Sequence, residues 1–274
     1  MLGGLTTTDG VILEIVAFIV GCILGSFLGV VIWRVPNHIS IVNPKRSFCP
    51  NCNAQIAWYD NIPLLSYAVL RGKCRHCKEP ISVRYPIMEA LTGCAMAAVV
   101  AGALWQIYPA WLLPNMLYLA AISIVVAYID IDHHLILNVI VYPSYLVSLA
   151  LLVLASAMMG NWEALKRGLI CALILFVFYF VLSLIWPGGM GDGDIKLAFL
   201  LGMTLGWLGW KQFIVGAFMA FFVGGLVVLI QLTRKKVSVH GGIPFGPSMV
   251  VGTWIGIFAG QVIADLYLQL VGLA

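Results

Sequence analysis

Two carboxylates in the glycine-rich stretch Gly188–Lys196 are the side chains of this sequence best placed to do chemistry. The stretch reads Gly-Gly-Met-Gly-Asp-Gly-Asp-Ile-Lys, and it follows the uncharged apolar run Leu169–Trp186. Placing an aspartate beside a run of membrane-spanning length is costly, so such a residue is a candidate functional group. Asp194 lies deeper in the following helix and is the better inward-facing candidate, whereas Asp192 is predicted to cap that helix.

A second carboxylate that could meet Asp194 is Asp130, at the end of another long apolar run. If the helix continues, Asp132 lies about 200° around the axis from Asp130, so the two cannot share one inward face. We take Asp130 as the inward residue and expect Asp132 and the two histidines after it in a solvated turn. Two aspartates close together at a semi-dry rim cannot easily both be ionised, so they share a proton. One can then activate water while the other polarises a peptide carbonyl, which predicts peptide hydrolysis.

Other residues of the glycine-rich stretch are candidates for holding a substrate. Gly191 and Gly193 permit backbone conformations that other residues avoid and allow a peptide strand to approach closely. Lys196 can extend its ammonium group to the membrane interface. We therefore assign these three residues to a substrate-binding loop.

Four cysteines form a second cluster with chemical potential. The sequence Cys49-Pro-Asn-Cys52 is followed after 21 residues by Cys74-Arg-His-Cys77. Paired CxxC knuckles are typical of tetrahedral zinc sites, and four thiolates leave the ion no open position for catalysis. Disulfides are the competing interpretation, but they rarely persist in a reducing cytoplasm. The spacing leaves open whether zinc only stabilises the loop or also shapes a second active site.

The composition places all these residues in a membrane protein. The chain has 274 residues, of which 62% are hydrophobic and 9% charged, against roughly 25% charged in soluble domains. Eight apolar runs are candidate spans, the sixth of them short. They are Val11–Val35, Ile87–Ile107, Trp111–Ile129, Val139–Met158, Leu169–Trp186, Ile195–Trp210, Phe213–Leu232 and Pro247–Leu270. We predict an all-α polytopic membrane protein with about eight transmembrane helices and a small cytoplasmic zinc-binding insert.

The expected organisation is a first transmembrane helix in residues 1–35, the insert in 36–86 and a transmembrane core in 87–274. Eight of the fifteen Lys and Arg residues lie in or beside the insert. Positively charged loops stay cytoplasmic, which places the insert inside and the N-terminus outside. Alternating spans then put Asp130, the 188–194 loop and Arg234–Lys236 inside as well. Lys166 and Arg167 fall outside, against the rule.

Two features of the first two spans call for specific packing. Gly21, Gly25 and Gly29 lie on one face of the first helix, where a neighbouring backbone can approach closely. Glu89, at the first turn of the second span, either favours the positive end of the helix dipole or contributes to a membrane-surface site with the insert.

The chain as a whole resembles the prepilin peptidases, or type IV leader peptidases, which are bacterial GxGD-type aspartyl membrane proteases. The resemblance is carried by the two CxxC knuckles and by six segments: Gly25–Pro36, Trp58–Tyr67, Arg84–Gly93, Ile129–His134, Met190–Leu197 and Ile243–Pro247. It implies that Asp130 and Asp194 are the catalytic pair. It also implies cleavage, after a glycine and on the cytoplasmic side of the bacterial inner membrane, of the basic leader of type IV pilins and of type II secretion pseudopilins.

Members of this family with the cysteine-bearing insert typically also methylate the new N-terminal amine with S-adenosylmethionine. No Rossmann-type glycine fingerprint for that cofactor is present, so methylation rests on the resemblance alone. Glu89 is our candidate for the methyl-transfer region. The expected partners are prepilins, pseudopilins and the lipid bilayer, without nucleic acid.

Two other classes of function fit the composition. One is an ion-coupled transporter with the zinc insert as a cytoplasmic gate, and the other is a non-catalytic scaffold for pilus or secretion assembly. Transport sites usually lie near the membrane midplane at broken helices. Asp130 and Asp194 are both predicted at helix ends on one side, which favours an enzyme at the membrane rim.

Overall fold

A computed structural model describes residues 6–43, 47–186, 190–233 and 244–272. Within these ranges the chain is almost entirely helical and forms no extended strands. The helices are α1 (Thr7–Arg34), α2 (Leu65–Val69), α3 (Arg84–Leu104), α4 (Leu113–His133), α5 (Asn138–Met159), α6 (Trp162–Ile185), α7 (Asp192–Leu208), α8 (Trp210–Thr233) and α9 (Gly246–Leu270). Gly188 and the basic run Arg234–Lys236 lie outside the described residues.

Seven of these helices are long and apolar enough to cross a membrane: all except α2 and α7. Helix α7 has 17 residues and corresponds to the short sixth run of the sequence. The expectation of a polytopic all-α membrane protein is therefore confirmed, with seven helices of full length and one shorter apolar helix.

The chain divides into two compact units, residues 1–106 and 107–274. This boundary differs from the division made on the sequence, which assigned residues 87–106 to the core. The reason is the glycine face of α1, which packs against α3. A Cβ added at Gly21 would lie 2.8 Å from the Gly93 Cα, and one at Gly25 would lie 2.8 Å from the Thr92 Oγ1. The predicted close approach at these glycines is confirmed, and it makes α3 the partner of α1.

In the second unit, α7 lies at the centre and contacts α5, α6, α8 and α9. Its C-terminal end is held by Arg167 of α6, whose Nε and Nη2 each donate a hydrogen bond of 2.7 Å, to the carbonyls of Gly206 and Trp207. Cations near a helix C-terminus satisfy carbonyls that have no partner within the helix. Arg167 thus has a structural role in α7, which does not depend on the charge rule for loops.

A buried amide links the helices that carry the two candidate aspartates. Asn115 of α4 donates to Thr204 Oγ1 of α7 at 3.1 Å, and its Oδ1 accepts from Ser148 Oγ of α5 at 2.8 Å. All three side chains are buried. In an apolar interior such interhelical bonds favour one register of the helices, so this network fixes how α4 and α7 lie along each other.

Candidate active site and metal site

Asp130 lies in the last turn of α4 and is 5% exposed, whereas Asp132 is exposed. This is the arrangement expected from their angular separation around the helix. The Asp130 Oδ2 accepts a hydrogen bond of 2.9 Å from the backbone N–H of Gly246, the first residue of α9. Helix α4 extends through Asp132 to His133, so the predicted start of the turn at Asp132 is wrong. The turn begins at His134, which has a φ of 52°.

Asp194 is the third residue of α7 and is 8% exposed. Its Oδ2 accepts a hydrogen bond of 3.1 Å from the N–H of Gly191, which is the N-cap residue. The prediction that Asp192 caps this helix is wrong, because Asp192 is the exposed first residue of α7. A carboxylate at the third helical position can reach back to the N-cap N–H, and Asp194 occupies that position.

The segments that carry the two aspartates meet around Ile136, in the turn between α4 and α5. A Cβ added at Gly193 would lie 2.5 Å from the Ile136 Cβ, and one at Gly246 would lie 3.2 Å from the Ile136 Cδ1 and 2.7 Å from the Asp130 Oδ2. The carboxyl groups of Asp130 and Asp194 are close enough to interact electrostatically. The structure therefore brings together two buried carboxylates, each bound by the N–H of a glycine at a helix start.

The four cysteines are also brought together. The Sγ atoms of Cys49, Cys52, Cys74 and Cys77 all lie within 4.8 Å of one another, and those of Cys49 and Cys77 are 3.9 Å apart. A tetrahedral ion with zinc–sulfur bonds of about 2.3 Å separates its sulfurs by about 3.8 Å, whereas a disulfide requires about 2.05 Å. All four thiols are free. The donor set fits zinc, and the disulfide alternative does not fit this geometry.

The two knuckles share one backbone arrangement. In each, the first cysteine donates its N–H to the carbonyl five residues later, and the residue after the second cysteine has a positive φ. The hydrogen bonds run from the Cys49 N–H to the Ala54 carbonyl and from the Cys74 N–H to the Glu79 carbonyl, both at 2.9 Å. The positive φ angles are 54° at Asn53 and 63° at Lys78. Backbone N–H groups of Cys77 and His76 lower the pKa of the Cys74 thiol, whereas burial and the neighbouring thiols raise the pKa of Cys52. Cys74 is thus the thiol of the cluster that ionises more readily, and the thiolate is the form that binds a metal.

Both halves of the chain match models of known protein families. Residues 19–103 match the bacterial peptidase A24 N-terminal domain, and residues 117–229 match the type IV leader peptidase family. The chain belongs to the type IV leader peptidase family. Leader peptidase relatives named prepilin leader peptidase/N-methyltransferase include those of Stutzerimonas stutzeri (31% identical over 92% of this chain and 93% of the relative), Aeromonas hydrophila (33%; 92% and 92%) and Bacillus subtilis (33%; 93% and 98%). No solved structure matches the chain.

The two family matches lie on either side of the boundary between the compact units. The N-terminal match ends at residue 103 and the leader peptidase match starts at 117, around the division at 106 and 107. The aspartate pair lies wholly in the leader peptidase unit, and the cysteine cluster lies wholly in the N-terminal unit.

The residues assigned to substrate binding have distinct surroundings. The space beside Gly193 is occupied by Ile136, whereas a Cβ added at Gly191 would meet the Asp194 Oδ2 at 3.4 Å, an ordinary contact distance. Lys196 donates from Nζ to the Asn138 Oδ1 at 3.0 Å and lies over the Tyr142 ring at 5.8 Å. Asn138 is the first residue of α5, after the N-cap Leu137. Its amide links the starts of α5 and α7.

Glu89 binds the insert. Helix α3 begins at Arg84, which makes Glu89 the sixth helical residue and not a first-turn residue. The helix dipole acts mainly in the first turn, so a favourable interaction with the dipole does not explain the position of Glu89. The Glu89 Oε2 instead accepts a hydrogen bond of 2.8 Å from the N–H of Leu64.

Three site residues were missed by sequence reasoning. Gly246 is part of the segment Ile243–Pro247 that carries the family resemblance, with no role of its own predicted, and nothing in the sequence distinguishes Ile136 from other apolar residues. Tyr179 of α6 is buried, interacts electrostatically with Asp194, and has its ring 6.1 Å from that of Phe245. No local pattern marks a tyrosine within a uniformly apolar helix, since only tertiary packing shows which residue faces the site.

Proposed function

We propose that this chain cleaves the basic leader peptide of type IV prepilins and pseudopilins with Asp130 and Asp194, at the cytoplasmic face of the bacterial inner membrane. The observation that carries the proposal is the pair of buried carboxylates at the ends of two helices, each oriented by a glycine N–H. The names of the relatives supply the substrate class, and the basic insert supports the orientation.

The hydrogen bonds suggest how the pair works. In each aspartate the Oδ2 is engaged by a backbone N–H, so the two Oδ1 atoms are left for a shared proton and a water molecule. The ionised carboxyl group takes a proton from water as the water oxygen attacks the scissile carbonyl carbon, and the protonated one donates to the carbonyl oxygen. The carbon–nitrogen bond then breaks as the carboxyl group that took the proton from water gives it to the leaving nitrogen. The other carboxylate takes a proton back from a hydroxyl group of the intermediate, which restores the pair.

The cysteine-bearing insert supports a second activity, methylation of the new N-terminal amine. Cys49, Cys52, Cys74 and Cys77 would hold a zinc ion with no vacant position, so the ion stabilises the insert and takes no part in peptide cleavage. S-adenosylmethionine would supply the methyl group. Glu89 supports this activity by binding the insert through Leu64.

Asparagine variants of the aspartates test the cleavage mechanism. Asn matches Asp in shape and keeps an oxygen that can accept the glycine N–H, but it cannot act as a base or share the proton. We expect Asp130→Asn and Asp194→Asn each to abolish cleavage of a prepilin while the protein still inserts in the membrane. The matched controls are Asp132→Asn and Asp192→Asn, which change exposed neighbours and should retain cleavage.

Mass spectrometry of the processed prepilin is the most informative readout, because it reports the cut site and any added methyl group together. Cleavage retained in either Asp130→Asn or Asp194→Asn would reject the assignment. Cleavage lost equally in the two control variants would show that the loss reflects the fold and not the chemistry of the pair.

A further inference from the structure

Helix α2 of the insert presents an apolar face without a partner among the described residues. Leu65 and Val69 are 57% and 67% exposed, and Ala68 beside them is exposed too. Residues three and four apart lie on one face of a helix. Ser66, about 100° around the helix axis from Leu65, is buried, and its Oγ donates to the Tyr59 carbonyl at 2.8 Å. An exposed apolar face is the reverse of what a helix shows on a water-facing surface.

The hydrogen bond between Leu64 and Glu89 places the start of α2 beside a membrane helix of the same unit. Glu89 follows the first residue of α3 by five positions, which is about 7.5 Å along the helix. Leu64 directly precedes α2, so α2 starts beside the second turn of a membrane-spanning helix. The exposed Trp33 near the end of α1 is a residue type enriched at membrane–water interfaces.

A strained turn holds α2 in this orientation. Leu64 has φ 59° and ψ −48°, and the Leu65 N–H donates to the Pro63 carbonyl at 2.6 Å. This is the rarer, positive-φ form of the γ-turn. Such strain persists only where the surroundings determine the conformation, and here the carboxylate of Glu89 binds the central residue. The outward direction of Leu65 is thus imposed by the fold.

The residues that flank α2 in the chain have the composition of a membrane interface. Trp58 before the helix is exposed, and so are Arg71 and Lys73 after it. Aromatic rings favour the headgroup level, and basic side chains are attracted to anionic lipids. Their presence beside an exposed apolar helix indicates a lipid surface as the partner.

We propose that α2 is an interfacial membrane anchor. Leu65, Ala68 and Val69 enter the boundary between headgroups and acyl chains, and Arg71 and Lys73 contact anionic headgroups. The zinc insert is then held on the bilayer through its own surface as well as through α1 and α3. This proposal does not depend on the reaction that the chain catalyses.

Photo-crosslinking of the full chain in vesicles of phosphatidylethanolamine and phosphatidylglycerol tests the anchor. A benzophenone amino acid replaces Leu65 or Val69 and, as the matched control, the exposed Glu79 of the same insert. We expect lipid adducts, identified by mass spectrometry, to be several-fold more abundant at the two α2 positions. Equal yields at Glu79 would overturn the proposal. Adducts from α2 to protein would also overturn it, because they would identify a protein interface.

A second measurement uses the double variant Leu65→Ser with Val69→Ser. In the same vesicles we expect faster amide exchange across residues 62–70 than in the unmodified chain, with the bound metal retained. Metal retention shows that the insert is folded. Unchanged exchange in a metal-loaded double variant would contradict the anchor, and the crosslinking result decides the matter where the variant loses its metal.

Discussion

Gly246→Ala tests the geometry of the aspartate pair directly. The added Cβ would lie 2.7 Å from the Asp130 Oδ2, where ordinary contacts begin at 3.4 Å. The carboxylate must therefore move by several tenths of an ångström, and it is the N–H of this same glycine that holds it. Since a misplacement of about 1 Å can reduce catalysis about 100-fold, we expect a loss of roughly 10- to 100-fold in kcat. Alanine favours a helix more than glycine does, so α9 should still form.

A series of alanine substitutions turns this expectation into a graded comparison of initial cleavage rates over a range of prepilin concentrations. Gly193→Ala places its Cβ 2.5 Å from the Ile136 Cβ and should lose at least as much activity as Gly246→Ala. Gly191→Ala meets nothing closer than 3.4 Å and should lose less. Gly225→Ala, in α8, has no atom within 4 Å and serves as the control. Wild-type kcat in Gly246→Ala, or an equal loss in Gly225→Ala, would refute the geometric argument.

Three further predictions concern the insert and the helix network. Cys49→Ser or Cys77→Ser should release the bound metal, measured by metal analysis, and should weaken methylation more than cleavage, measured by mass spectrometry of processed prepilin. Purified wild-type protein without bound metal would reject the zinc site. Glu89→Ala should accelerate amide exchange at Leu64 and in α2, whereas Glu89→Gln keeps a hydrogen-bond acceptor and should accelerate this exchange less. If both variants lose methylation equally while exchange in Glu89→Gln is unchanged, Glu89 has a chemical role instead. Asn115→Leu removes both interhelical hydrogen bonds and should destabilise the protein by about 1–2 kcal/mol, measured by unfolding in denaturing detergent, and an unchanged unfolding midpoint would count against the network.

Much of the chemistry could be predicted from the sequence because it depends on local spacing. The CxxC knuckles brought Cys49, Cys52, Cys74 and Cys77 together as expected, since two short turns and one ion satisfy the pattern whatever lies between them. Helical geometry showed that Asp130 and Asp132 cannot share one inward face, and the apolar run before Asp130 indicated which of them faces inward. Apolar length similarly located the membrane-spanning helices without any tertiary information.

Most of the features that the sequence did not reveal depend on contacts between distant segments. The N–H that binds Asp130 comes from Gly246, which is 116 residues away, and a backbone donor leaves no mark in a sequence. Asp192 was predicted to cap α7 because it precedes Asp194, and a cap at Asp192 would make Gly193 the first helical residue. The structure starts the helix one residue earlier, at Asp192 itself. Helix α3 joins α1 because of glycine packing, which hydropathy does not report.

The placement of the carboxylates also discriminates between an enzyme and a transporter. A transporter needs its charged groups near the midplane, where they alternate between two sides. Asp130 lies three residues from the end of α4, and Asp194 is the third residue of α7. Both are bound by glycine N–H groups that begin or precede a helix, so each carboxylate is fixed at a helix end. A carboxylate held by a backbone N–H at a helix end keeps a constant orientation, which suits a reaction at a fixed site better than alternating access.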